Sequence, residues 1–338
     1  MSALRKLLFP FSLLYGFIIR CRHWCYDKGL FTSSSFSFPV ICVGNLSVGG
    51  TGKTPMVEYL IRVLQNNHSI ATLSRGYKRT SRGFLVADER TTVKQLGDEP
   101  FQYFQKFPSV KVAVDANRVR GVSKLYSLYK PEVIILDDAL QHRKIKAGLT
   151  ILLTAYHKLY TDDVLLPAGD LRDIKGRARK ANIIVVTKCP DSLTYEKRNE
   201  IVNKIAPEKH QELFFAGIRY ADYLTNGTQK ILLDNYRSLP FTLVTGIADP
   251  GPMVRFLENK KFSFQHKKYR DHHFFTKEDI AALNKLERVI TTEKDFVRMG
   301  SLLKNCFYLP IETYFIDEKG GKRFNEKIEK YIKSKSAE

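Results

Sequence analysis

Cysteine is scarce in this chain and poorly spaced for chemistry. Its 338 residues include 5 cysteines, at positions 21, 25, 42, 189 and 306, and only Cys21 and Cys25 are close. That pattern gives neither a zinc-binding spacing nor a disulfide framework, and it suits a reducing cytosol. Long apolar runs are missing too. The apolar stretch Leu7–Ile19 contains Pro10 and is shorter than the roughly 20 residues of a membrane-spanning helix. No small-x-small cleavage site follows it, which argues against a secretory signal. No tandem repeat or low-complexity block stands out. Acidic residues are in deficit: 35 Asp and Glu stand against 55 Lys and Arg, a net charge of +20. So large an excess favours an anionic partner, whether nucleic acid, an acidic membrane face or a phosphorylated substrate.

The remaining composition is that of a folded chain. At 43% hydrophobic and 27% charged it can build a sizeable core, and its length allows one large α/β domain or two lobes around a cleft. The first 26 residues hold Arg5, Lys6, Arg20 and Arg22 and no acid. They read as an interfacial helix, with an apolar face in lipid, basic groups among head groups, and Trp24 and Tyr26 at the boundary. The other reading is an ordinary helix packed on the core.

Further along, Phe38–Val43 reads as a strand and Met56–Gln65 as a helix with Met56, Tyr59, Leu60 and Val63 on one face. More strands are expected at Ile70–Leu73, Val110–Val114, Val133–Leu136, Leu149–Leu153, Ile183–Val186, Leu213–Ile218, Phe241–Thr245 and Arg288–Thr291. Near-continuous apolar strands alternating with helices predict a P-loop NTPase-like parallel sheet covered by helices on both faces. A second, smaller α/β lobe is expected beside it. A polar stretch near 187–212 reads as a weak seam. The expected organisation is an interfacial helix in 1–30, a P-loop kinase core in 31–190, and a part in 191–338 that completes the core and forms the second lobe.

The strongest local signal runs from Gly44 through Asn45, Leu46, Ser47, Val48, Gly49, Gly50, Thr51, Gly52 and Lys53 to Thr54. It follows a predicted strand and opens a predicted helix, as a P-loop must. The backbone from Asn45 to Thr54 would cradle phosphate oxygens. Lys53 would reach the β- and γ-phosphates, and the Thr54 hydroxyl would bind Mg²⁺. Where the usual pattern has its first glycine this chain has Ser47, and Gly49 and Gly50 supply the flexibility. The apolar strand Val133–Leu136 ends in Asp137-Asp138, a Walker B-type pair able to hold the metal. Thr187-Lys188 also closes a strand and is similar to the base-reading lysine position of GTPases. The full Asn-Lys-x-Asp is absent.

Taken together, several segments resemble the tetraacyldisaccharide 4′-kinases, the lipid A kinases. They are Gly44-Asn45, Gly49–Pro55, Ser74-Arg75-Gly76-Tyr77, Gly97-Asp98-Glu99-Pro100, Asp137-Asp138 with Gln141-His142-Arg143, Pro167-Ala168-Gly169 with Leu171-Arg172, Asp271-His272-His273 and Thr292-Glu293-Lys294-Asp295. The order is the family's, and the series spans about residues 1–300. The resemblance implies transfer of the γ-phosphate of ATP, with Mg²⁺, to the 4′-hydroxyl of a tetraacyldisaccharide 1-phosphate. The setting it implies is the cytoplasmic face of a bacterial inner membrane, on an anionic surface, without nucleic acid or an obligate protein partner. Two departures stand out: Asp137-Asp138-Ala139-Leu140-Gln141-His142 replaces the family's Asp-Asp-Gly-Phe-Gln-His, and Leu171-Arg172-Asp173-Ile174 replaces Leu-Arg-Glu-Pro.

By the same resemblance Asp98 is the candidate base and His272 its partner, with His273 the adjacent alternative, while Lys53 acts in catalysis. Asp173 joins Thr54, Asp137 and Asp138 around the metal. Arg75, Tyr77, Glu99, Arg118, Gln141, His142 and Arg172 are expected to contact substrate; the arginines suit bidentate phosphate binding. Two other readings compete. A P-loop GTPase or metallochaperone would need a guanine-reading motif or a metal-binding cysteine pair. A basic ATPase on nucleic acid would show salt-sensitive binding and leaves the apolar N-terminus without a purpose.

Overall fold

The computed structural model describes Arg5 and residues 7–336. Lys6, counted above among the N-terminal basic residues, lies outside the described residues, as do 1–4 and 337–338 of the expected terminal segments. The larger of two sheets has nine strands. Its members are β1 (Val40–Asn45), β2 (Ile70–Ser74), β3 (Leu85–Val86), β4 (Lys111–Val114), β5 (Val133–Asp137), β6 (Leu149–Ala155), β7 (Ile183–Thr187), β8 (Glu212–Tyr220) and a late return strand, Ile311–Phe315. The spatial order is return strand, β8, β7, β6, β1, β5, β2, β4, β3. All neighbours are parallel except the two edge pairs. Strands β1, β2, β5 and β7 are buried along their whole length, which is why they read as unbroken apolar runs rather than alternating ones.

Helices cover both faces of this sheet. On one side α2 (Lys53–Leu64) and α3 (Asp98–Lys106) bury Met56, Val57, Leu60, Ile61 and Tyr103 against Ile41, Val43 and Ile135. On the other, α4 (Arg118–Tyr129) and α5 (Tyr195–Ile205) bury Val122, Leu125, Ile201 and Ile205 against Cys42, Leu136 and Ile184. Helix α1 (Phe9–Asp27) precedes them all and buries only Ser12, Gly16, Ile19 and His23. That narrow stripe sits against the segment 165–173: a Cβ on Gly16 would lie 2.8 Å from Leu165 Cδ1.

The second sheet has six strands. It comprises β9 (Tyr223–Thr225), β10 (Lys230–Leu232), β11 (Phe241–Thr245), β12 (Phe264–Lys268), β13 (Val289–Thr291) and β14 (Cys306–Tyr308), in the order β10-β9-β14-β13-β11-β12. Helices α6 (Gly251–Asn259), α7 (Lys277–Leu283) and α8 (Glu293–Met299) pack around it. The chain then returns to the first sheet through β15 (Ile311–Phe315), and α9 (Glu318–Ser336) buries Phe324, Ile328 and Ile332 on the α2 face.

The smaller lobe is therefore inserted between two strands of the larger one. The polar stretch at 187–212, read from sequence as a seam, is instead an ordinary crossover between neighbouring strands. Its helix α5 joins β7 to β8, which pair in parallel from Ile183↔Glu212 onward. A solvent-facing crossover helix and an interlobe linker are equally polar, so composition does not separate them. The change of sheet falls after Tyr220.

Candidate active site

The P-loop takes its shape from β1, which delivers Asn45 at the carboxyl edge of the sheet, and from α2, which starts at Lys53. Gly49 (φ 100°) and Gly52 (φ 82°) occupy left-handed backbone that other residues adopt only under strain. The loop is tied down on every side. Asn45 is fully buried and donates from its amide to Ser47 O at 2.8 Å. Its Oδ1 accepts from Lys53 Nζ at 3.2 Å and from Arg172 Nη2 at 2.6 Å. Gln141 donates to Asn45 O at 2.6 Å, and Val48 N donates to Asp170 O at 2.7 Å. Ser47 bridges to Leu171, and the Thr187 hydroxyl donates to Thr51 O at 2.8 Å. Thr54 is buried in the first turn of α2, and Gly50 is exposed on the loop.

Next to the loop, β5 ends in the acid pair. Asp138 stands at φ 53° and accepts from Arg172 at 3.0 and 2.7 Å, with Lys53 Nζ 3.8 Å away. Burial alone would raise its carboxyl; the Arg172 hydrogen bonds and the Lys53 charge outweigh it, so the group sits low. Asp137 is different. Its Oδ2 accepts from Ser74 at 3.3 Å and Tyr103 at 3.2 Å, while Oδ1 is buried with no protein partner. Burial, with Asp138 adding to it, pushes this carboxyl up to about 6. A buried carboxylate oxygen without a donor fits a divalent cation that takes its other ligands from phosphate and water. Among the described residues no three His, Cys, Asp or Glu side chains converge, so a metal here depends on the nucleotide.

Asp173 is not gathered into that pair. Its Oδ1 lies 2.6 Å from His23 Nε2 of α1 and accepts from Ile174 N at 2.8 Å, while Oδ2 is buried with no protein partner. Through Oδ1 it ties the segment after Arg172 to the N-terminal helix. Arg172, one residue earlier, reaches Asp138 instead.

The expected base lies where the two lobes meet. Asp98 opens α3, after Gly97 at φ 95°, where a Cβ would crowd Tyr77 O at 3.3 Å. The sequence suggested a turn; the turn is the first residue of a helix. Asp98 Oδ2 accepts from Arg298 Nε at 2.9 Å and Nη2 at 2.6 Å. His272 Nδ1 lies 3.4 Å from the same oxygen and 2.8 Å from Arg298 Nη2. The guanidinium can only donate, so Arg298 stands between the carboxylate and the imidazole. It is fixed in turn by Asp295 and Gly246 O, both at 3.1 Å. His273 is occupied elsewhere, 2.8 Å from Asp279. His272 is therefore the histidine at Asp98.

Beneath this trio a second interlobe contact is buried. Lys106 Nζ bridges Glu58 at 2.7 Å and Glu293 at 2.6 Å, and Gln102 donates to both acids. One lysine cannot balance two buried carboxylates, so Glu293 is pushed up by burial and by Glu58. Glu99, expected at the substrate, has its carboxylate taken by Lys294 at 2.8 Å.

The other expected substrate residues line the rim. Arg75 and Tyr77 are exposed, and the Tyr77 ring lies edge-on to His272 at 6.2 Å. Arg118 is buried at the start of α4, with its Nε unpartnered and Asp138 and Asp137 in electrostatic range. His142 is driven down to about 4 by burial and by Arg118, so it is neutral, and its Nε2 has no partner. Arg298, Lys106, Glu58 and Tyr103 were missed from sequence. The signal for Arg298 was slight: it lies one helical turn after Asp295.

A phosphate loop, an acid pair beside it and a carboxylate held across a cleft define a P-loop phosphotransferase. A family model described as Tetraacyldisaccharide-1-P 4'-kinase matches residues 4–333. A tetraacyldisaccharide 4'-kinase of Flavobacterium johnsoniae is 49% identical, over 98% of each chain. Its counterpart in Bacteroides thetaiotaomicron is 40% identical, over 98% of this chain and 94% of its own. A solved structure from Aquifex aeolicus, described as an "apo" form of LpxK in complex with ATP, matches at 30% identity with a TM-score of 0.80, covering 97% of this chain and 99% of that one. The chain belongs to the tetraacyldisaccharide-1-P 4'-kinase family.

Proposed function

We propose that this kinase moves the γ-phosphate of ATP onto the 4′-hydroxyl of a tetraacyldisaccharide 1-phosphate with Asp98 as the base. The observation that carries the reading is the Asp98–Arg298–His272 trio, assembled from both lobes. The P-loop backbone and Lys53 hold the phosphates, and Arg172 steadies Asp138 beside Lys53. Thr54, Asp137 and Asp138 would hold Mg²⁺, which would offset charge on the transferring group. The 4′-oxygen attacks the γ-phosphorus, its proton passes to Asp98, and the bond to the bridging oxygen of ADP breaks. Arg298 and His272 keep the Asp98 carboxylate aimed while this happens. Arg75, Tyr77, Arg118 and His142 line the acceptor side.

The same reading sets the reaction at the cytoplasmic face of the inner membrane, where ATP is available. No helix among the described residues is long and apolar enough to cross a membrane. Helix α1 nevertheless exposes Phe9, Phe11, Leu13, Leu14, Phe17, Ile18 and Trp24, an apolar surface suited to lying in a bilayer interface. Its inner stripe holds the active-site segment: Ser12 Oγ accepts from Ala168 N at 2.9 Å, and Tyr15 donates to Arg172 O at 2.9 Å.

Transfer from labelled ATP to detergent-dispersed tetraacyldisaccharide 1-phosphate tests the reading. Wild type transfers, and Lys53→Ala and Asp98→Ala each lose about 100-fold or more. Folded wild type that binds Mg-ATP and transfers nothing removes the acceptor assignment. For the membrane, Phe11→Ser with Phe17→Ser reduces sedimentation with anionic vesicles; undiminished binding removes α1 as the docking element.

A further inference from the structure

Several non-glycine residues stand at positive φ, and most have a simple reason. Lys130 and Ala206 cap the ends of α4 and α5, and Lys261 closes the turn after α6. The others are Lys78, Asp138, Lys188 and His272. Asp138 and His272 belong to the site described above, and Lys78 lies beside Tyr77 on its rim, its ammonium 5.4 Å from that ring. Strain of this kind persists where the surroundings impose it, and it gathers at functional positions. Lys188 is the remaining case.

The surroundings of Lys188 are rigid. Thr187 O accepts from Tyr156 N at 2.8 Å, Cys189 N donates to Ala216 O at 3.0 Å, and the Thr187 hydroxyl grips Thr51 O of the P-loop. The Lys188 ammonium is consequently delivered to the loop's crest, 3.7 Å from the point a Cβ on Gly50 would occupy. Among the described residues it makes no hydrogen bond and no ion pair. Burial lowers its affinity for a proton; Asp249 across the cleft opposes this and Lys294 adds to it. A half-buried cation with no hydrogen-bonded counter-charge, beside a phosphate-binding backbone, is completed by an anion.

The sheet order says which anion. Strand β1 feeds the loop, β5 lies on one side of it, and β6 then β7 lie on the other. Lys53, Arg172 and the acid pair crowd the β5 side, where the γ-phosphate and the acceptor must meet. Lys188 stands after β7, on the opposite side, where the nucleoside end of ATP must run. We propose that Lys188 is a second nucleotide-binding cation, contacting the α- and β-phosphates that ADP retains. The proposal deepens the kinase reading and rests on the P-loop holding ATP.

Nucleotide affinity tests it directly, by displacement of a fluorescent ADP analogue in the presence of Mg²⁺. Wild type is compared with Lys188→Met, Lys188→Ala and Lys188→Arg, each checked for a cooperative thermal melt. Met and Ala weaken ADP and ATP alike by about 10- to 100-fold, the worth of a charge-assisted hydrogen bond, and Arg retains most of the affinity. In phosphate transfer, Met raises KM for ATP with kcat largely kept, as for a contact equal in ground and transition states. The unliganded Met variant melts no lower than wild type, because the cation it removes is unpaired. ADP affinity within twofold of wild type in the Met and Ala variants overturns the proposal. Weakening of ATP with ADP unchanged also overturns it, because the contact would then be to the γ-phosphate. Wild type that binds both nucleotides but transfers nothing overturns the kinase reading and leaves Lys188 standing.

Discussion

The phosphate loop and the base cluster are built in opposite ways. The loop is one contiguous segment, braced by residues of the same lobe, and its key lysine is eight positions from the asparagine it meets. The base cluster is assembled from two lobes: Asp98 and Arg298 are separated by 200 positions. The first can hold a nucleotide whatever the smaller lobe does. The second exists only while the lobes are together. Nucleotide binding and proton removal are thus held by separate parts of the molecule, and substitutions should pull them apart.

The sharpest separation comes from Asp98→Asn against Lys53→Ala. Asp98→Asn keeps Mg-ATP affinity within a few-fold and loses about 10²- to 10⁴-fold in kcat. Lys53→Ala loses nucleotide affinity as well as transfer, read by equilibrium binding and steady-state rates. If both variants lose nucleotide equally, the division fails.

Next in size is the buried interlobe contact. Lys106→Met leaves Glu58 and Glu293 facing each other without a cation and should destabilise the fold by about 3–5 kcal/mol, measured by urea unfolding. Unchanged stability would mean that the two acids share a proton without help from Lys106.

Arg298→Ala should cost up to about 100-fold in kcat through misplacement of Asp98, with KM for ATP little changed. Arg298→Lys restores part of it. His272→Ala lowers kcat and His273→Ala does not; the reverse result would hand the dyad to His273.

The smallest effect is one of pH. Burial and Glu58 raise the Glu293 carboxyl above its ordinary 4.5. A carboxyl that binds its proton more tightly when folded adds stability at low pH. That contribution is lost as pH climbs above 4.5 through the raised value of the folded state. Replacing Glu293 with Gln flattens this part of the stability curve, and a wild-type curve that is already flat contradicts the assignment.

Much of this was legible in the sequence, for reasons that differ by element. Strands β1, β5 and β7 announced themselves because strands buried on both faces must be apolar throughout. The P-loop showed because its chemistry needs small residues and a lysine at adjacent positions. Arg298 did not show: an arginine in a helix looks the same whether it faces solvent or a carboxylate from another lobe. Glu58 and Lys106 stayed hidden for the same reason. Asp173 follows Arg172 directly, and a local motif does not show that neighbouring side chains take different partners. One reaches Asp138 and the other reaches His23. The insertion of the smaller lobe was also unreadable, since strand β15 resembles any other short strand until its pairing with β8 is seen.

The most direct test of the account is a single-turnover experiment on Asp98→Asn. The variant is saturated with Mg-ATP, mixed with excess tetraacyldisaccharide 1-phosphate, and the appearance of phosphorylated lipid is followed. The account predicts that bound ATP persists while transfer is slowed by about 100-fold or more relative to wild type. Transfer at close to the wild-type rate would contradict it and move the proton to another acceptor in the cleft.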